Sequence, residues 1–165
     1  MIKNAFFQRD AVIVAKDLLG KIISVNDKKL RITETEAYTN DLASHGHKKT
    51  PRSAIMYDTS GFVYVYFIYG MYHCLNFTTN KIGEPGAVLI RAGKLLDHEN
   101  ENLCSGPGKL CRILDINKKL NGTKIGQKVK LFDDGFKVGK ICKSPRIGIS
   151  AAKELEWRFF ISINN

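Results

Sequence analysis

The chain has 165 residues, a length that suits one domain with a single apolar core. Its hydrophobic fraction of 44% and charged fraction of 25% are ordinary for a globular protein. Its 26 Lys and Arg residues against 16 Asp and Glu residues give a formal net charge of +10. This excess favours a polyanionic partner, with nucleic acid first and an anionic membrane surface second, over a merely solubilising charge.

The cysteines and the N-terminal residues bear on metal binding and on cellular location. Four cysteines are scattered without a CxxC pair, which argues against a zinc cage or a redox motif, and we expect no metal and no cofactor. Asp10, Lys16 and Asp17 interrupt the apolar N-terminal residues, so these form neither a signal peptide nor a membrane span. We expect an intracellular monomer without a membrane partner, in the cytoplasm with the nucleoid if the source is bacterial.

The first predicted element is a short helix in the stretch RDAVIVAKDLLGK. Asp10 is placed to cap its start and Gly20 to close it, because these residue types favour helix ends. Val12, Ala15 and Leu19 would then line one face of the helix.

Two strands follow, KIISV and LRITETEAY, joined by an Asn-Asp turn. By period-two alternation, one side of the second strand would carry Leu30, Ile32, Glu34, Glu36 and Tyr38. Both glutamates would then face the same way as core residues. That placement is costly unless each carboxylate has a partner or the strand leaves the core there.

The most aromatic stretch, GFVYVYFIYGMYHCLNFTT, predicts two strands joined by a turn. The turn would lie near Tyr69, Gly70 and Met71. Alternation places Tyr64, Tyr66 and Ile68 on one face and Val65, Phe67 and Tyr69 on the other. Tyrosines in strands usually serve packing, although their rings also stack on nucleic-acid bases. A tyrosine at a hairpin tip is better explained as a wedge that enters a base stack.

The remaining elements are a strand in GAVLIRAG, a helix in SGPGKLCRILDI and a basic C-terminal region. The helix would carry Leu110, Ile113 and Leu114 on its apolar side. The last region mixes glycine turns with the short alternating runs KVKLF, RIGIS and WRFFI. The whole pattern is rich in strands with few helices and shows no linker, so we predict one α+β domain over residues 1–165.

Charge is distributed unevenly along the chain. Residues 117–146 hold nine Lys and Arg residues, from Lys118 to Arg146, against two Asp residues, whereas residues 31–91 hold six basic and five acidic residues. Chemistry and electrostatic adhesion are therefore expected in different parts of the chain.

Glu34 and Glu36 have three interpretations from the residues alone. They could bind a metal, act as a general acid and base, or lie on the surface of an edge strand. Tyr38, His45 and His47 follow closely and supply stacking and proton-handling groups. Their spacing matches no standard set of metal ligands.

The segment SGPGKL resembles a phosphate-binding loop but fails two of its requirements. Leu110 stands where Ser or Thr would hold Mg²⁺, and Leu103 where the first glycine is needed. Gly106 and Gly108, with Lys109, can still present backbone N–H groups and charge to a DNA phosphate. An ordinary helix cap explains the same residues equally well.

Several blocks occur in order: ETEAY, ASH, KTPR, YVYFIYGMYHCLN, AVLIRA, LCSGPGKLC and PRIGI followed by WRF. Together they resemble the methylpurine (3-methyladenine, alkyladenine) DNA glycosylase family, from about Asp17 to Phe160. The resemblance implies a curved, mostly antiparallel sheet with a protruding aromatic hairpin. It also implies a DNA glycosylase of base excision repair that removes alkylated or deaminated purines, such as 3-methyladenine and hypoxanthine, from double-stranded DNA.

The catalytic residues that the resemblance implies are Glu36, which would activate water, and Arg91, which would help position that water. Glu34 would be structural. The enzyme would be monofunctional, because no lysine lies beside Glu36 in the sequence and the nearest are Lys48 and Lys49.

The base pocket implied by the resemblance contains four side chains. Tyr38 and Tyr66 would stack on the two faces of a flipped base, and His45 would contact it from the wall. Asn76 would exclude the amino group of guanine by a steric clash.

DNA contacts complete the set of implied residues. Tyr69, with Met71 beside it, would fill the gap that the flipped nucleotide leaves in the duplex. Contacts to the DNA backbone are expected from Gly106, Gly108, Lys109, Lys48, Lys49 and Arg52.

The sequence departs from the family pattern in three places. The loop between His45 and Thr50 is short, so His47 competes for the role given to His45. The segment before Leu103 is much reduced, and the tail after Trp157 is short.

Two other functions would fit the same sequence. One is a non-catalytic nucleic-acid binder, whose basic segment and tyrosines would hold single strands. The other is an RNA-modifying or nucleoside-cleaving enzyme with similar pocket chemistry.

Overall fold

The computed structural model describes residues 1–96 and 104–161. The reduced segment before Leu103 and the last residues of the short tail, 162–165, lie outside the described residues.

In the described residues, eight strands form one curved sheet whose paired strands are all antiparallel. They are β1 (Ile22–Val25), β2 (Lys28–Tyr38), β3 (Val63–Ile68), β4 (Tyr72–Thr78), β5 (Ala87–Leu95), β6 (Lys130–Phe132), β7 (Cys142–Ser144) and β8 (Arg158–Phe160). The main order is β3-β4-β5-β2-β1-β6, and β7 pairs with β8. The central strand β2 pairs with β5 along one edge, and with β1 and then β8 along the other.

Within the described part of the chain, three short helices complete the predicted α+β fold, which is confirmed. They are α1 (Ala11–Asp17), α2 (Ala54–Asp58) and α3 (Pro107–Ile113), with 3-10 turns at Asn4–Phe6, His45–His47 and Lys118–Leu120. α1 packs against β2 and β5, and α3 packs against β4 and β5.

Helix α1 begins where the sequence predicts. The Asp10 carboxylate accepts hydrogen bonds from the N–H groups of the first turn, including that of Val12 at 2.9 Å. Of the predicted apolar residues, Ala15 and Leu19 are buried, but Val12 is only partly buried. Val14 and Leu18 are fully buried instead, because the helix is rotated slightly relative to the expected orientation.

The sheet has two faces with different roles, the core face and the cavity face. The core face forms one apolar cluster with α1, and its residues include Ile32, Ala37, Val65, Leu75, Phe77, Val88 and Ile90. The cavity face carries Glu36, Tyr38, Tyr64, Tyr66, Cys74, Asn76, Leu89 and Arg91. Residues that pair directly across strands, such as Tyr64 with Asn76 and Glu36 with Leu89, lie on the same face.

The predicted orientation of the two glutamates is wrong. The register between β2 and β5 shifts on both sides of Glu34, which marks a β-bulge. Ile32 precedes the bulge and faces the core, whereas after the bulge Thr35 faces α1 and donates its hydroxyl to the carbonyl of Ala15. Glu36 therefore lies on the cavity face, because the extra residue inverts the alternation.

The aromatic hairpin is confirmed, with its turn at Tyr69, Gly70 and Met71. Tyr69 and Gly70 adopt positive φ angles of 52° and 63°, which close the tight connection between Ile68 and Tyr72. Tyr69 is 83% exposed and Met71 63% exposed, so the tip protrudes from the fold.

Helix α3 fills a gap between two strands of the sheet. β4 and β5 pair only over Asn76–Thr78, and α3 packs against both strands. A Cβ added to Gly108 would approach the ring of Tyr72 to 2.7 Å, so the close packing of the helix on the hairpin requires glycine there. Leu110 and Leu114 are buried as predicted.

The basic C-terminal region covers the core face through Leu120, Val129 and Leu131. Of its three alternating runs, KVKLF contains β6 and WRFFI contains β8. RIGIS contains no strand. It forms a turn in which Gly148 has a φ of 73°, so the expectation of a regular alternating run is wrong there.

Candidate active site

An aromatic cavity of about 320 Å³ opens on the cavity face of the sheet. Its lining includes six residues that the sequence had singled out: Tyr38, His45, Tyr66, Tyr69, Asn76 and Arg91. Met56 of α2 and the loop at 147–149 complete the wall. A volume of this size lies within the range of pockets that bind small molecules.

Glu36 lies directly behind the cavity wall and is fully buried. Its Oε2 accepts a hydrogen bond from the Tyr38 hydroxyl at 2.7 Å, and its Oε1 accepts one from the Ile147 N–H at 2.7 Å. The Nη1 of Arg91 is 3.6 Å from Oε1, which is within ion-pair range but longer than a hydrogen bond. All three of these neighbours line the cavity, whereas Glu36 itself does not.

Glu34 holds Arg91 in place. Its Oε1 accepts hydrogen bonds from the Nε of Arg91 at 3.0 Å and from the Nε of Arg158 at 2.6 Å. Charge-assisted bonds of this kind restrict a guanidinium strongly. Glu34 thus orients Arg91, and Glu36 lies within ion-pair range of the same guanidinium at the cavity wall.

The two predicted stacking tyrosines remain protonated. Burial raises the pKa of the Tyr38 hydroxyl, and the neighbouring Glu36 charge raises it further. Burial likewise raises the pKa of Tyr66, with a smaller contribution from Cys74. Tyr38 is consequently a permanent hydrogen-bond donor to the carboxylate.

His45 lines the cavity, and His47 does not. The Nδ1 of His45 is 3.0 Å from the Tyr64 hydroxyl, and its ring meets that of Tyr66 edge-on at 4.7 Å. Burial lowers the pKa of His45, and the nearby Arg52 charge lowers it further. Its imidazole is therefore neutral at pH 7, whereas the ring of His47 turns outward to a loop carbonyl.

The turn that carries His45 is fixed by close packing. The Ser44 hydroxyl accepts a hydrogen bond from the Gly46 N–H, and the Tyr57 hydroxyl donates to the Gly46 carbonyl. A Cβ at Gly46 would lie 2.5 Å from the Thr39 carbonyl oxygen, so only glycine fits. This support was not evident from the sequence, because Tyr57 comes from α2.

Asn76 is held at the cavity by the hairpin backbone. Its side-chain amide nitrogen donates to the Tyr64 carbonyl at 3.2 Å, and the residue is almost completely buried. Asn76 lines the cavity, where the family resemblance placed it, because it lies on the same face of β4 as Cys74.

The residues expected to contact the DNA backbone lie at exposed or partly exposed positions. Arg52 lies over the ring of Tyr66, with its guanidinium carbon 5.4 Å from the ring centre. Lys49 forms an ion pair with Asp58 at 2.6 Å, whereas Lys48 and Lys109 are exposed. Gly106 caps α3 with a φ of 92°, and Gly108 packs on Tyr72.

Three contributors were missed by sequence reasoning. Tyr64 was assigned a face but no role, yet it lines the cavity and contacts His45. Ile147 supplies its N–H to Glu36 from a distant part of the chain. Arg146, which the sequence counted with the basic region, is almost fully buried beneath the site instead of exposed to a polyanion.

Among residues 1–96 and 104–161, no group of three or more His, Cys, Asp or Glu side chains is arranged to hold a metal ion. In the same residues, no helix is long and apolar enough to cross a lipid bilayer.

Comparison with known proteins connects this geometry to a family. The family model described as methylpurine-DNA glycosylase (MPG) matches residues 5–165. The chain belongs to the methylpurine-DNA glycosylase family. Its activity class is that of a DNA glycosylase, a hydrolase of N-glycosyl bonds that serves DNA repair.

Curated relatives agree with membership of the methylpurine-DNA glycosylase family. A protein of Ehrlichia chaffeensis is 44% identical over 167 residues, covering 98% of this chain and 93% of the relative. A protein of Clostridium novyi is 41% identical over 189 residues, covering 97% of this chain and 94% of the relative. A Wolbachia protein is 44% identical over 166 residues, covering 98% of this chain and 97% of the relative. All three are named, provisionally, as 3-methyladenine DNA glycosylases.

Proposed function

We propose that the protein is a monofunctional DNA glycosylase that flips alkylated or deaminated purines out of duplex DNA and hydrolyses their N-glycosidic bond. Its substrates would include 3-methyladenine and hypoxanthine, and its product an abasic site. The observation that carries the proposal is the buried carboxylate of Glu36 directly behind an aromatic cavity.

Base flipping accounts for the shape of the site. A base inside a duplex is beyond the reach of an enzyme, and extruding it costs a few kcal/mol. The exposed Tyr69 at the hairpin tip would offset part of that cost by stacking in the gap, with Met71 beside it. The rings of Tyr38 and Tyr66 would stack on the extruded base, most strongly on one that alkylation has made cationic.

The chemical step follows from the position of Glu36. As the bond between C1′ and the purine nitrogen breaks, its electron pair leaves with the purine and positive charge develops on the sugar. The carboxylate would stabilise that charge and accept a proton from the water that adds to C1′. Arg91 lines the cavity beside the same oxygen and would help hold that water.

Recognition of the purine edge would come from the remaining wall. The neutral imidazole of His45 can exchange a hydrogen bond with the base. Asn76 is fixed by backbone hydrogen bonds, and its side chain would clash with the 2-amino group of guanine.

Two features support a monofunctional enzyme that acts on DNA. Within the described residues, no lysine lines the cavity, so none is placed to form a Schiff base with the sugar. The basic excess favours DNA as a partner. We expect the protein to act as a monomer inside the cell, with the nucleoid if its source is bacterial.

The test is incubation with duplex DNA that contains alkylated adenine or hypoxanthine, followed by detection of free base and of alkali-labile strands. Glu36→Gln should reduce excision by roughly 10²–10⁴-fold, the range of general-base catalysis. Its affinity for abasic-site DNA should stay within a few-fold of wild type, because the substitution preserves shape.

Other outcomes would point elsewhere. Full excision by Glu36→Gln would end the catalytic assignment, and binding without any excision by the wild type would indicate a non-catalytic nucleic-acid binder. Release of base from RNA or from free nucleosides in preference to duplex DNA would indicate an enzyme of a different substrate class.

A further inference from the structure

Against the ring of Tyr38 lies an arginine that does not line the cavity and that the chemistry described so far does not use. The guanidinium carbon of Arg146 is 4.7 Å from the centre of the Tyr38 ring and 5.3 Å from that of Trp157. Arg146 is almost completely buried although it carries a charge. Such a placement is costly unless the charge is paired.

Asp41 supplies the pairing. The Nη2 of Arg146 donates to Asp41 Oδ1 at 2.6 Å, and its Nη1 donates to Oδ2 at 3.1 Å and to the Ala37 carbonyl at 3.0 Å. Burial raises the pKa of Asp41, but the hydrogen bonds and charge of Arg146 outweigh burial and lower it overall. Asp41 is held in turn by the N–H groups of its own loop.

The arginine is linked to both groups that donate hydrogen bonds to Glu36, to one by contact and to the other along the chain. Its guanidinium lies against the ring of Tyr38, whose hydroxyl binds Oε2. It also immediately precedes Ile147, whose N–H binds Oε1. Fixing one side chain therefore fixes the two donors that set the direction of the carboxylate.

Stability alone explains this arrangement poorly. The Nε of Arg146 is buried without a hydrogen-bond partner in the described part of the chain. Buried ion pairs are often no more stable than an apolar replacement of similar volume, so they are weak grounds for a purely stabilising role. In some proteins such buried pairs instead fix one defined geometry.

We propose that Arg146, clamped by Asp41, is a positioning residue that orients Glu36 through Tyr38 and the Ile147 N–H. The proposal rests on Glu36 as the catalytic carboxylate. Arg146 does not line the cavity, so it would touch neither the base nor the sugar. Its effect is on the rate of bond cleavage and not on DNA binding.

The chain offers a matched control in Arg31. Its guanidinium also forms a two-pronged bond to an aspartate, Asp134, and also lies over an aromatic ring, that of Phe136 at 4.3 Å. Neither Arg31 nor its partners line the cavity. Substitutions at Arg31 therefore remove the same chemistry without disturbing Glu36.

The experiment compares Arg146→Met and Arg146→Lys with Arg31→Met and Arg31→Lys. Single-turnover excision of hypoxanthine should fall about tenfold to a hundredfold in Arg146→Met, because displacements of about 1 Å near reacting groups have effects of this size. The excision rate should fall less in Arg146→Lys, because lysine keeps the positive charge although it cannot form the two-pronged hydrogen bond to Asp41. Affinity for abasic-site DNA should stay within about threefold of wild type in all four.

Trp157 gives an independent signal, because it is the only tryptophan and contacts Arg146. Its emission should shift in Arg146→Met and remain unchanged in Arg31→Met. If Arg146→Met does not fold, Arg146→Lys and Asp41→Asn carry the same comparison.

The proposal is overturned if the Arg146 variants cleave at the wild-type rate, or if rate and DNA affinity fall together by the same factor. Equal losses in the Arg31 variants would also overturn it. If Glu36→Gln is itself fully active, the proposed function fails first. An inactive Glu36→Gln with fully active Arg146 variants removes the positioning role alone.

Discussion

The two faces of the central sheet are built from the same strands but differ in what their side chains do. On the core face, Thr35 satisfies its hydroxyl on the helix backbone and is surrounded by aliphatic residues. On the cavity face, its neighbour Glu36 is just as buried, yet its partners border an open cavity. Burial alone therefore does not distinguish Thr35, which serves packing, from Glu36, the carboxylate that we propose to be catalytic. The two residues differ in where their hydrogen-bond partners lie. The partners of Glu36 line the cavity, whereas the partner of Thr35 is a carbonyl of α1.

This comparison predicts that substitutions at adjacent residues of one strand affect stability and activity separately. The largest effect on stability is expected in β4. Phe77→Ala should lower the free energy of unfolding by about 3–5 kcal/mol, because it empties a fully buried position of the core face. Asn76→Ser, one residue away, should change stability far less and should increase release of undamaged guanine. Denaturant unfolding and base release from undamaged DNA measure the two effects. Similar stability losses in both variants would contradict the division between faces.

A smaller effect is expected at the link between cavity and carboxylate. Tyr38→Phe removes the hydroxyl that donates to Glu36 but keeps the stacking ring. Excision should fall by roughly tenfold to a hundredfold, since one preorganised donor is lost. Binding of abasic-site DNA should hardly change. Single-turnover kinetics with a parallel binding titration would show this, and a loss confined to binding would argue that Tyr38 serves only as a stacking surface.

The hairpin tip should affect activity without affecting stability. Tyr69→Ala removes an exposed ring, so the unfolding transition should stay in place. Stacking is worth about 1–3 kcal/mol, and its loss should slow excision more on well-paired hypoxanthine than on 3-methyladenine. Parallel rate measurements on both substrates decide the matter. Equal losses on the two lesions would contradict the wedge role.

The smallest expected effect concerns the protonation of His45. Burial remains in Arg52→Gln, but the positive charge that also lowers the pKa is removed, so the pKa of His45 should rise toward its ordinary value. With the pKa of the folded state lowered, protonation favours the unfolded chain, and the wild type should lose stability as the pH falls through the ordinary histidine range. That loss should be smaller in Arg52→Gln. NMR titration of the imidazole measures the shift, and Lys49→Gln, which removes a charge paired with Asp58, should leave it unchanged.

Much of the cavity wall was predictable from the sequence. In β3 the alternation is uninterrupted, so Tyr64 and Tyr66 share a face as the pattern indicated, and that face meets the cavity. Asn76 in β4 also faces the cavity, but its place there was implied only by the family resemblance. In β2 the same reasoning failed for Glu36, because the register shift around Glu34 inverts the alternation. A bulge is visible only in the pairing of two strands, and one strand read alone does not reveal it.

The sequence by itself determined the cap of α1 and the hairpin with its tip, since these depend on neighbouring residues and on the φ angles that each residue type tolerates. It did not reveal α2 or β7, where no element was predicted. Only the tertiary structure decided that Glu36 turns toward the cavity and receives the N–H of Ile147, which is 111 positions away. It likewise buried Arg146 against Asp41 instead of leaving it on a basic surface. Contacts between such distant segments depend on the path of the folded chain. The local periodicity of the sequence does not predict that path.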